Sequence, residues 1–164
     1  MNRRWIRLRR PGDAPADGAV ACHTVRRPKE GEPEAVEVFV ADPGLPDAFP
    51  VRAHALIGGE SAVTFVAVLR RRGDVDHDFF SRYWREQHAR FGPLIPNVRR
   101  YVQMHAEPGG PVDGVCEVGF DTLEELAAGL QADVIRIEAR ADEEHFIDHG
   151  SSYGLVCDPA RGPA

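Results

Sequence analysis

One stretch of this chain concentrates side chains able to move a proton. Arg99 to His105 reads Arg-Arg-Tyr-Val-Gln-Met-His, and its apolar and polar residues alternate as in a β-strand. Val102 and Met104 fall on one face, and Tyr101, Gln103 and His105 on the other. If Val102 and Met104 pack beneath helices, the other three residues face the space behind the sheet. The next strand-like run, Val115 to Phe120, puts Cys116, Val118 and Phe120 on one face and Glu117 on the opposite one. An imidazole, a phenol and a carboxylate converging on a mostly apolar cavity suit acid/base catalysis, because burial can move pKa values toward neutrality, as it does for a carboxyl. In this reading His105 is the base or acid, Tyr101 donates to an oxyanion, Glu117 orients His105 and Gln103 contacts the substrate. A satisfied polar cluster at the sheet edge is the competing account.

His88 is the second catalytic candidate. It shares a helical stripe with Phe80 and Trp84, so it is directed at the sheet rather than at solvent. It either takes part in chemistry or locks the helix by bonding to Asp148 or a C-terminal carbonyl. Tyr83, Trp84 and Asp148 are placed with Gln103 in the substrate site. His23 and His54 would add polar groups from an opposing sheet. His145, Asp148 and His149 resemble a metal set only weakly, since Phe146 and Ile147 between them read as packing. A haem would need His88 or His105 as axial ligand, and nothing else calls for one. Neither a metal nor a cofactor is expected.

The elements that must hold these residues are clearest after residue 60. Val63 to Leu69 is a continuous apolar run, as in a strand covered on both faces. Asp76 can cap a helix carrying Phe80, Tyr83, Trp84, His88 and Phe91 at three- and four-residue spacing, stopped by Gly92-Pro93. After the two strands above, Thr122 to Glu125 is a capping-box pattern that opens a helix striped by Leu123, Leu126, Ala127, Leu130 and Val134. Helix continues toward Phe146, Tyr153 to Cys157 is a last strand, and 159–164 is a tail. The order β-α-β-β-α-β is the split βαβ of ferredoxin-like folds. Its helices cover one sheet face, so something else must cover the other.

The first sixty residues read as that cover. Leu8-Arg-Arg-Pro-Gly-Asp13 matches Leu69-Arg-Arg-Arg-Gly-Asp74 at five of six positions, and Val20 to His23 resembles Val102 to His105. Val36 to Val40 and Arg52 to Ile57 supply a third and fourth strand. The short spans after Asp13 and Asp42 leave no room for helices. Residues 1–60 are therefore expected to be a degenerate half-repeat, four strands kept and both helices lost. An unrelated extension with chance Arg-Gly similarity is the alternative.

Bulk properties set outer bounds. The 164 residues are 43% hydrophobic and 28% charged, which is globular. A formal charge of −6 disfavours nucleic acid or anionic membrane as partner. The arginines at positions 3, 4, 7, 9 and 10 read as a solvated strand end. Cys22, Cys116 and Cys157 form no CxxC pair and lie in apolar runs, which points to a reducing, cytoplasmic setting. No signal-like or membrane-spanning apolar run is present. Dinucleotide, Walker, GxSxG and HExxH motifs are also missing, which disfavours nucleotide-dependent, serine-hydrolase and zincin chemistry.

Phe79-Phe-Ser-Arg-Tyr-Trp-Arg-Glu-Gln-His88, Gly92-Pro-Leu, Arg99 to His105 and Ala141-Asp-Glu-Glu-His-Phe-Ile-Asp148 occur in an order that resembles the EthD-like family. The resemblance covers roughly residues 61–158. It implies the dimeric α+β-barrel superfamily, in which two ferredoxin-like sheets enclose a cavity, and so an α+β fold. Relatives include cyclases, dehydratases, isomerases, cofactor-free monooxygenases and haem enzymes, so the resemblance implies a cavity more firmly than a reaction. The front half departs from the usual single-domain pattern, and the expected homodimer is accordingly either real or replaced by a pseudo-dimer within one chain. The expected function is cofactor-free acid/base chemistry (cyclase, dehydratase or isomerase type) on a hydrophobic, aromatic or polyketide-like molecule. A non-catalytic binder and a monooxygenase are the alternatives.

Overall fold

The structure, a computed structural model, describes residues 2–159. The tail expected at 159–164 lies outside them except for Pro159, which ends the last strand. The strands are β1 (Asn2–Arg9), β2 (Ala21–Val25), β3 (Ala35–Phe39), β4 (Ala48–Gly58), β5 (Val63–Leu69), β6 (Arg100–Ala106), β7 (Gly114–Phe120) and β8 (Tyr153–Pro159). The α-helices among the described residues are α1 (His77–Glu86), α2 (Leu123–Gln131) and the short α3 (Arg140–Glu143); α2 stops short of Val134, and a π-helical segment over Val134–Ala139 leads into α3.

All eight strands join in one closed antiparallel barrel, in the cyclic order β1-β3-β2-β8-β5-β7-β6-β4. Taken four at a time, the first half runs β4-β1-β3-β2 and the second β8-β5-β7-β6. Each is the fourth-first-third-second order of a ferredoxin-like sheet, and the halves meet at β2/β8 and β4/β6. The fold is thus α+β, antiparallel and helix-poor, and the barrel closes within one chain.

Helix starts follow the sequence signals. The Asp76 carboxylate accepts from the Phe79 amide at 2.7 Å, and the Thr122 hydroxyl accepts from the Glu125 amide at 3.1 Å. The stripe through His88 and Phe91 does not continue as one helix. α1 ends at Glu86, and His88–Leu94 forms a tighter 3-10 segment containing Pro93.

Two apolar layers fill the molecule. Ile6, Val36, Val38, Val51, Val66, Val68, Val102, Met104, Val115 and Leu155 belong to the cluster inside the barrel. Phe80, Trp84, Tyr101, Cys116, Val118, Phe120 and Phe146 form the layer between the helices and the second half-sheet. The polar-lined hollow expected within the barrel is therefore not there. Its middle is packed by these apolar side chains, and open space lies at the barrel's ends and along α1.

The faces of β6 are also the reverse of those expected. Val102 stands opposite Glu117 and Met104 opposite Val115, on the inside, while Tyr101 and Gln103 pair with Val118 and Cys116 under the helices. Both faces of β6 are buried, so apolar content alone could not orient it. Hydrogen bonding does. An unpaired buried amide or imidazole costs about 1–3 kcal/mol, and only the helix side offers partners for Gln103 and His105. A further difference concerns the N-terminal arginines. Arg7 is buried, not solvated, and contacts Asp47 at 2.8 Å and Glu37 at 3.3 Å on the helix-free outer face. No helix among the described residues is long and apolar enough to cross a membrane.

Candidate functional site at the barrel mouth

The strongest polar constellation stands at one end of the barrel. Glu117, on the inner face of β7, accepts a hydrogen bond from Nε2 of His23 at 2.9 Å and from Nε of Arg100 at 2.8 Å. His23 comes from β2, 94 positions earlier in the chain, and Arg100 opens β6. Glu117 is only 2% exposed and His23 8%. Burial pushes the Glu117 carboxyl up, but the hydrogen bonds and charges of His23 and Arg100 outweigh it and hold it below its ordinary range. The carboxylate is thus ionised, which assigns a proton to Nε2 of His23. The other ring nitrogen, Nδ1, is buried with no partner among the described residues. His23, Glu117 and Arg100 line a pocket of about 440 Å³ with Val20, Ser61 and Thr64. A carboxylate–imidazole pair with one uncommitted nitrogen, beside a guanidinium, can transfer a proton and stabilise an oxyanion.

His105 is elsewhere. Its Nε2 donates to Oε1 of Gln103 at 3.1 Å, and its Nδ1 accepts from the Ser81 hydroxyl at 2.8 Å. The amide of Gln103 fixes this assignment, because its NH2 group donates to the Trp84 carbonyl at 3.0 Å and to the Tyr101 oxygen at 3.4 Å. Burial, with the charges of Arg85, His54 and His77, lowers the His105 pKa to about 3, so the ring is neutral. Trp84 lies against that ring, 4.4 Å between centroids. Burial pushes the Tyr101 phenol far above its ordinary range. Its ring lies so close under Gly92 that a Cβ there would come within 2.7 Å. His105, Gln103 and Tyr101 therefore stay together, but on the opposite face of the sheet from Glu117. Glu117 orients His23, not His105. His54 stands opposite Gln103 on β4, on the outer face with His105 and apart from His23.

A third cluster surrounds Asp142, a buried carboxylate that sequence reasoning passed over. It accepts from Nδ1 of His88 at 2.8 Å, the Tyr83 hydroxyl at 2.9 Å and Arg90 at 3.0 Å. Burial lowers the His88 pKa against the pull of Asp142. His88 thus locks the 3-10 segment to the C-terminal helix through Asp142, not through Asp148. Asp148 is exposed and holds a turn through the Gly150 amide and the Ser151 hydroxyl. His145 bonds the Asp142 carbonyl and His149 faces Glu143, so these residues do not converge. Among the described residues no group of three or more His, Cys, Asp or Glu is placed to hold a metal ion.

Comparison with known families agrees with the second-half architecture. Residues 72–150 match the EthD domain family. Three solved structures resemble the chain. An ethyl tert-butyl ether degradation family protein from Bacillus halodurans C-125 is 19% identical, with 57% of this chain and 94% of that chain covered and a TM-score of 0.48. A dimeric protein of ferredoxin-like fold from Bacteroides fragilis NCTC 9343 is 13% identical, covering 61% and 98%, with a TM-score of 0.49. A protein from Lactobacillus acidophilus NCFM, put forward as a monooxygenase, is 9% identical and covers 96% and 92%, with a TM-score of 0.55. At 9% identity the last of these shows a likeness of fold alone. No curated protein matches the sequence.

The mouth spans the boundary of the matched segment, residues 72–150. Glu117 and Arg100 belong to it, and His23 is supplied by the preceding sixty residues. Arg100 was missed: it shares parity with Val102 and Met104, the face that the sequence reading turned toward the helices. Ser81 and Asp142 gave no signal, because a serine in a helix and an aspartate in an acidic run are common in any surface.

Proposed function

We propose that this chain is an acid/base enzyme whose reaction takes place at the barrel mouth. His23 takes or delivers a proton at Nδ1. Glu117 fixes the tautomer and offsets the imidazolium charge, while the free end of Arg100 steadies an oxygen that becomes negative. Removal of a proton beside a carbonyl, with the enolate oxygen held by Arg100, opens isomerisation, dehydration and ring closure alike. A rim with both Val20 and Ala21 and the polar Ser61, Thr64 and Arg100 suits a small molecule with an apolar body and one carbonyl. On this reading residues 1–60 are a half-repeat that stands where a second subunit would stand and contributes the base.

One observation carries the proposal: the 2.9 Å Glu117–His23 bond leaves a buried imidazole nitrogen without a partner beside a pocket. Exchange of the acidic benzylic C–H of ketones such as 2-tetralone, followed by NMR in D2O, tests it. His23→Gln and Glu117→Gln are expected to slow the protein-dependent exchange by about 100-fold or more, with His105→Asn close to the parent. An unchanged rate in folded His23→Gln would remove the assignment. Binding without exchange would make the mouth a ligand site only.

A further inference from the structure

A second site lies along α1, outside the barrel and on the opposite face of the sheet from Glu117. Here an open groove of about 580 Å³ runs between α1 and the β4/β6 pair. Arg52 of β4 stands opposite His105 of β6, and Arg82 and Arg85 come from α1. Neither Arg52 nor Arg82 has an ion-pair or hydrogen-bond partner among the described residues, and Arg85 pairs with its neighbour Glu86 at 2.8 Å. Asp78 and Glu107 also line the groove, leaving an excess of one positive charge.

The floor has the opposite hydrogen-bonding character. The Ser81 hydroxyl spends its proton on His105, so it offers the groove lone pairs only. His77 donates from Nε2 to the Ala106 carbonyl at 2.8 Å, and its Nδ1, 4.0 Å from the exposed Asp78 carboxylate, is buried without a hydrogen-bond partner among the described residues. Because the buried, neutral His105 is locked onto Gln103 by its own N–H, it cannot reverse the Ser81 bond by becoming a donor. A cationic rim over a floor of acceptors asks for a ligand with negative charge and a hydroxyl proton to give.

We infer that the groove between α1 and β6 binds small hydroxylated anions, with Arg52, Arg82 and Arg85 holding the charge and Ser81 and His77 accepting the hydroxyl. Arg52 belongs to the first half and the rest to the matched segment, so the site, like the mouth, requires both. It is independent of the mouth chemistry.

Calorimetric titration of the full chain with citrate, with tricarballylate (the same triacid without the hydroxyl) and with glycerol tests the inference. Saturable citrate binding is expected, with tricarballylate at least about 5-fold weaker and glycerol silent. Arg52→Ala and Arg85→Ala together should weaken citrate about 10-fold or more, and Ser81→Ala should erase the preference over tricarballylate. His23→Gln should bind citrate as the parent does, which separates this site from the mouth. No saturable citrate binding, equal affinity for the two triacids, or indifference to the arginine substitutions would each overturn it. Circular dichroism of every variant excludes unfolding as the cause of a loss.

Discussion

His105 and His23 show how neighbours decide what an imidazole can do. Both are buried, but His105 has both ring nitrogens engaged by neutral groups, whereas His23 has one nitrogen on a carboxylate and one unengaged. The first arrangement stores stability that acid can release. The folded-state pKa of His105 is lowered from 6.5 to about 3, so the unfolded chain takes up a proton first as pH falls. Its contribution is fully present above pH 6.5 and is lost progressively on the way down toward pH 3. His88, also lowered, acts in the same direction. Urea unfolding between pH 6.5 and 5 should therefore lose up to about 1.4 kcal/mol per pH unit from His105. His105→Asn is expected to flatten that dependence by one histidine's share. An identical slope in the variant would show that the ring is not held neutral.

At the scale of elements, α1 is seated by a close approach that leaves no slack. Gly114, at the start of β7, lies under the Trp84 ring, and a Cβ built there would come within 2.4 Å of Cζ3. Trp84 cannot turn away easily, because its ring also lies on His105 and its carbonyl accepts from Gln103. Gly114→Ala should therefore overpack this layer and lower unfolding stability by about 1–3 kcal/mol. Gly73, in the turn before α1, has open space where a Cβ would go. Gly73→Ala should stay within about 0.5 kcal/mol of the parent. Equal urea midpoints for the two variants would mean that α1 has freedom to shift off β7.

Across the whole molecule, closure within one chain accounts for the first sixty residues. Without them the inner face of the second half-sheet would bare Val66, Val68, Val102, Met104, Val115 and Leu155. So large an apolar face does not remain in water as a stable monomer. Residues 61–164 expressed alone are expected to pair with a second copy, as sedimentation equilibrium would reveal, or to aggregate. A soluble, cooperatively folding monomer would show that the front half is dispensable to the core. The helix-free outer face of that half is closed differently, by buried ion pairs in which Glu37 meets Arg7 at 3.3 Å and Arg9 at 3.5 Å.

By itself the sequence determined the element types and their order. Apolar periodicity and the Asp76 and Thr122 caps depend on contacts a few residues apart and leave a local signature, whereas the end of α1 at Glu86, six residues before Gly92-Pro93, left none. It also separated the two faces of β6 and β7 correctly. Which face of β6 turns inward was beyond it, because both are buried and alternation carries no sign. Only strand register and the acceptors on α1 could decide that. The pairing of His23 with Glu117 was equally out of reach, since it depends on where a closed barrel brings β2 relative to β7. Contacts set by closure carry no local trace, and the candidate site is made of them.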